Sequence, residues 1–141
     1  MTSFDVVYGA FMSKMLDDEW EDWDEWEIEE DFMTLLQGAI ARFKFPRVSL
    51  AYTEDGFVKD LNNDEVQILA TYMKCEWLNR TILSWENVKP LYDERDFSQA
   101  NLIDKFCNML ENEDARARRL EGYYYRSINK VPFDYRNLAG D

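Results

Sequence analysis

Apolar residues near the N-terminus recur with helical spacing: Phe4, Val7, Tyr8, Phe11 and Met15 fall at i, i+3, i+4, i+7 and i+11. They predict a first helix over 4–16 that can run on into the residues that follow. Phe32, Leu35, Leu36, Ala39, Ile40 and Phe43 lie within an arc of roughly 140° at 100° per residue, which predicts a second helix from near Asp31 that Pro46 stops. Between Val48 and Asn63 the period changes. VSLAY and FVKDL flank TEDG, and the Asp55-Gly56 pair signals a turn, closing either a short hairpin or a structured loop.

Asn62 with Glu65 three residues on, in NNDE, resembles a capping box. A long helix follows to about Val88, before Pro90, and spans about 37 Å at 1.5 Å per residue. Val66, Leu69, Met73, Trp77 and Val88 form one of its faces, and Ile68, Cys75, Leu78 and Ile82 another. A helix apolar nearly all round is expected at the centre of a fold. Asp96 with Gln99 marks another start, and Leu102, Phe106, Met109, Leu110, Ala117, Leu120 and Tyr124 line one side of a helix to about Tyr125. Lys105, Glu111, Glu113, Arg118 and Arg119 are assigned to its solvent side.

The stretch SINKVPFDYRNLAGD has no helical period, and Pro132 biases Asn129–Phe133 toward extended backbone. These elements predict a mainly α fold: a helical bundle with two long helices, a short loop or hairpin insertion and an extended C-terminal tail. Residues 1–128 form a single helical domain in this reading, and 129–141 a docking tail.

Composition supports a folded chain, with 46% apolar and 16% aromatic residues among 141. No apolar run approaches the roughly 20 residues of a membrane span. The N-terminus lacks the pattern of a secretory signal, so synthesis and folding in a cytosol are expected. The absence of histidine removes the usual zinc sites and the histidine-dependent catalytic arrangements. The five glycines make no phosphate-binding loop, and Cys75 and Cys107 read as small buried hydrophobes. The expectation is a protein that is not an enzyme and carries no cofactor or metal. A carboxylate-dependent metal enzyme is the least supported reading.

Charge is distributed unevenly. Of a formal net −13, residues 1–31 hold twelve acids and one lysine, whereas between 116 and 136 six bases face only Glu121 and Asp134. Most of the acids belong to DDEWEDWDEWEIEED, residues 17–31, which lacks the spacing and glycine of a calcium loop. On a helix its three tryptophans, Trp20, Trp23 and Trp26, would span about 120° and form a stripe between carboxylates. The stripe is either core packed on the first two helices or a docking strip for a partner with apolar pockets and basic rims. Nucleic-acid affinity is disfavoured by the overall charge, with only the C-terminal basic patch leaving it open.

The tail also has two readings. It either closes the bundle, or Tyr125–Leu138 inserts into a groove on another chain. In the second case Tyr125, Val131, Phe133, Tyr135 and Leu138 are anchors, and Arg126, Lys130 and Arg136 meet carboxylates. The extended backbone with alternating anchors favours the second.

The strings DEVQILATYMKCEWLNRTI, DFSQANL, YYYR and NLAG, between 64 and 140, resemble the head-to-tail connector (adaptor) proteins of tailed bacteriophages. The resemblance implies a structural virion protein, made in the host cytoplasm and located in the virion neck. It implies a homo-oligomeric ring of twelve copies that joins portal protein to a head-closure or tail protein. DNA passes through such a ring without sequence-specific binding. By position, Asp64–Trp77 and Asp96–Phe106 would be the ring body and Tyr123–Leu138 the portal-gripping segment. Residues 17–31 lie outside the resemblance. Alternatives are a head-closure or tail-completion protein of the same neck, and an acidic DNA-mimic or inhibitory binding module.

Overall fold

A computed structural model of the chain describes residues 1–15, 20–88 and 97–128. In chain order they form α1 (Phe4–Ser13), α2 (Glu25–Arg42), the strands β1 (Tyr52–Thr53) and β2 (Gly56–Phe57), α3 (Asn63–Val88) and α4 (Phe97–Ile128). The fold is mainly helical, as the periodicities predict. The connection after α2 is the hairpin alternative, with β1 and β2 antiparallel and Tyr52 opposite Phe57.

α3 is the hub, because α1, α2 and α4 each pack against it. Its sequence permits this: Val66, Leu69 and Met73 on one side and Ile68, Cys75, Leu78 and Ile82 on the other are all buried. Burial pushes the Cys75 thiol up to about 12, so this cysteine packs as an apolar side chain. Phe32, Leu35, Leu36 and Ala39 of α2 and Val7, Tyr8 and Phe11 of α1 complete the core on their sides. Ala117 and Tyr124 are buried on α4. Gly38 lets α2 approach closely, since a Cβ there would sit 2.5 Å from the Glu76 carboxyl carbon.

The start of α3 is fixed by the capping box. Asn62 Oδ1 accepts the Glu65 amide at 2.8 Å and Glu65 Oε1 accepts the Asn62 amide at 2.8 Å. Glu65 is buried, and its second oxygen accepts the Tyr124 hydroxyl at 2.6 Å. That hydroxyl also accepts the Arg47 amide at 2.8 Å. One network thus ties the start of α3, the end of α4 and the link after α2. Burial, then the bond to Glu65, pushes Tyr124 up to about 12.

The hairpin is held from outside. Thr2 exchanges backbone bonds with Phe57, at 3.2 and 2.8 Å, and Thr2 Oγ1 accepts the Leu61 amide at 2.8 Å. Gly56 has φ +147°, and a Cβ there would lie 2.5 Å from the Thr2 carbonyl oxygen. Both facts exclude a side chain at this position.

Several expectations are corrected. α2 starts at Glu25 rather than near Asp31, with Asp24 as N-cap and Glu25 and Glu27 in the first turn, where carboxylates favour the positive end of the helix dipole. α1 ends at Ser13 with Lys14 as C-cap. Glu113 is not a solvent-side residue: only 14% of its side chain is exposed, and it pairs with Lys74 at 3.2 Å. Met109 is exposed, off the buried face. The predicted start at Asp96 and the tail 129–141 lie outside the described residues.

Candidate functional site

Two surfaces at opposite ends of α2 combine exposed aromatic with charged side chains. At the N-terminal end the three tryptophans do not form a stripe. The Trp23 amide bonds to the Trp20 carbonyl at 3.2 Å in a turn that precedes α2, so helical spacing does not hold across them. Trp20 is buried, edge-on to Phe11 and Phe32 with centroids 5.7 and 5.1 Å away. Its Nε1 donates to Asp31 Oδ2 at 2.7 Å, and Asp31 also accepts from Arg80 of α3. Trp20 is therefore an anchor to its own core and not part of a docking strip. Trp23 is 36% and Trp26 63% exposed, among the exposed acids Glu21, Asp22, Asp24, Glu25, Glu29 and Glu30.

At the other end Lys44, Phe45, Pro46 and Arg47 leave α2 and run beside the last turns of α4. With Tyr125 they line a groove of about 480 Å³. Phe45 is 68% exposed and meets Tyr125 edge-on at 6.4 Å. The Arg126 guanidinium lies 4.9 Å from the centre of the exposed Tyr123 ring, a cation–π geometry. The Tyr125 hydroxyl donates to Glu121 at 3.2 Å and Tyr72 donates to the other oxygen of Glu121 at 2.5 Å. Glu121 is buried, and Tyr72 and Tyr125 are both held above the ordinary tyrosine range, by burial first and Glu121 next.

Of the residues predicted to bind a partner, Tyr125 lines this groove, and Arg126 lies over Tyr123 on the same helix. Lys130, Val131, Phe133, Tyr135, Arg136 and Leu138 lie outside the described residues. Lys44, Phe45 and Arg47 escape the sequence reading, although KFPR puts an aromatic between two cations just past a helix end. The feature was legible as a signal but is short.

A third charged cluster surrounds Glu113, which Lys74 meets at 3.2 Å and Arg116 at 3.9 Å. Lys14 lies close enough that burial first, then the Arg116 charge, lowers its pKa. Charge pairing in this cluster joins α3 to α4, with Lys14, the C-cap of α1, nearby. Among the described residues no group of three or more carboxylate, cysteine or histidine side chains is placed to hold a metal ion. Among the described residues, too, no helix is long and apolar enough to cross a membrane.

The arrangement defines a helical bundle with an acidic tryptophan-bearing end and a basic aromatic groove. Comparisons of the chain with protein-family models, with curated proteins and with solved structures found no match.

Proposed function

We propose that this chain is a structural assembly protein, a head-to-tail connector (adaptor) subunit that joins portal to tail in a phage neck and forms part of its DNA channel. The single observation that carries the reading is the polarity of α2, acidic and aromatic at one end and basic and aromatic at the other. A subunit with unlike ends makes head-to-tail contacts, which close into a ring when the rotation allows. The resemblance of residues 64–140 to connector proteins supports the phage setting. In this reading Tyr125 and Arg126 begin the portal-gripping segment that continues through residues 129–141. A head-closure or tail-completion ring of the same neck fits the polarity equally.

The test is electron microscopy of portal rings mixed with the full-length protein and with a tail variant, Val131→Ser with Phe133→Ser and Leu138→Ser. Extra density capping the portal with the wild type, lost with the variant, is the expected result. Bare portal rings in both samples would refute the assignment.

A second reading has its own support in the exposed acids around Trp23 and Trp26. A carboxylate strip with aromatic anchors suits a module that occupies a basic cleft, as a DNA mimic does. Binding of the monomer to a nucleic-acid-binding protein, displaced by DNA, would favour it over the connector.

A further inference from the structure

We infer that the groove between the KFPR link and the end of α4 is the receptor for the acidic tryptophan end of a second copy of this chain. The inference rests on the assembly reading above and names the contact through which it would operate.

The two surfaces complement each other in charge and in exposed aromatic side chains. The groove is lined by the cations Lys44 and Arg47 and the aromatics Phe45 and Tyr125. The opposite end offers Trp26, and Trp23 three residues before it, in a run of exposed carboxylates. The groove is shallow and open, and an aromatic anchor laid among its arginine and lysine side chains gains both burial and cation–π attraction. Phe45 and Trp26 are among the most exposed large apolar side chains, at 68% and 63%. Each would be covered by the other end.

The pairing has to be between molecules. α2 has 18 residues, so at 1.5 Å per residue its ends stand about 27 Å apart. The acidic end is also pinned to the core through Trp20 and Asp31, which prevents it from folding over to its own groove. Opposite charges steer the encounter, and salt is expected to weaken it.

The test uses the full-length chain and two surface variants, Trp23→Ala with Trp26→Ala, and Lys44→Glu with Arg47→Glu. Sedimentation equilibrium from micromolar to hundreds of micromolar is expected to show salt-sensitive self-association of the wild type, weakened about tenfold or more in each variant. Mixing the two variants should restore a 1:1 pair, because one keeps an intact groove and the other an intact acidic end. Unchanged circular dichroism spectra establish that both variants fold. Zero-length carbodiimide cross-linking of isotopically light and heavy copies should join Lys44 to Glu25, Glu29 or Glu30 of the other copy.

A wild type that stays monomeric throughout, variants that associate like the wild type, or a mixture that does not pair would overturn the inference. Cross-links from Lys44 only to Asp134 or Asp141 of the same copy would make the tail the occupant and overturn it too. Self-association through this contact without portal capping would leave the inference standing and refute the connector assignment.

Discussion

Replacing Tyr124 by phenylalanine removes one hydroxyl and nothing else of size. That hydroxyl donates to the buried carboxylate of Glu65 at 2.6 Å and accepts the Arg47 amide at 2.8 Å. A hydrogen bond to a carboxylate contributes roughly 1.5–3 kcal/mol, and the deletion strands an acceptor that the protein keeps from water. The part-buried Arg47 amide loses its acceptor as well, which adds about 0.5–1 kcal/mol. The expected loss is about 2–4 kcal/mol, which for a domain of this size lowers Tm by roughly 6–15 °C. Urea denaturation followed by circular dichroism measures it, with the exposed neighbour Tyr123→Phe as a control expected to change little. In a double-mutant cycle with Glu65→Gln, a coupling of at least about 1 kcal/mol is expected from residues in direct contact. Tyr124→Phe within about 0.5 kcal/mol of the wild type would refute the claim that this network fixes the ends of α3 and α4 together.

Other outcomes follow from the same structure. Tyr8 and Tyr124 are both raised from 10.0 to about 12, so the folded state holds these protons more tightly than the unfolded chain. The stability they confer is complete below about pH 10 and is lost as pH climbs through about 12, by at most roughly 1.4 kcal/mol per pH unit for each. Thermal melts between pH 9 and 12, with phenolate absorbance recorded alongside, check the slope, and flat stability across that window would contradict it. Gly56→Ala should cost about 1–3 kcal/mol by forcing a Cβ into the positive-φ turn and the Thr2 carbonyl, whereas Gly9→Ala, with open space around its Cβ position, should gain about 0.5–1 kcal/mol by helix propensity; denaturant midpoints decide both. Trp20→Ala should destabilise by about 3–5 kcal/mol, while Trp23→Ala and Trp26→Ala should stay within about 0.5 kcal/mol of the wild type in the same assay.

Local signals were legible in the sequence and long-range ones were not. The Asn62–Glu65 box and the all-round apolarity of α3 are properties of neighbouring residues, and both place the element correctly. The start of α2 is hidden because periodicity counts apolar residues, and Glu25–Asp31 has few, although its carboxylates suit a helix N-terminus. The tryptophans mislead for a related reason. A helical stripe presumes one continuous helix, and the chain turns at Trp20–Trp23 before α2 begins. The pairings of Glu65 with Tyr124 and of Glu113 with Lys74 join residues far apart in sequence, where a charged residue on a helix reads by default as solvated. Of the groove residues the sequence points only to Tyr125; the KFPR half is brought to it by tertiary packing.

The central position of α3 also bears on how the molecule opens. α1, α2 and α4 all pack on α3 and share one core cluster, so none of them can detach without exposing part of a core that the others also use. Opening is then expected to be global rather than piecewise, with a single cooperative unit and no smaller independently stable piece. The slowest-exchanging amides should lie along Ile68–Leu78, where α3 is enclosed on every side, and their exchange should report the stability of the whole fold.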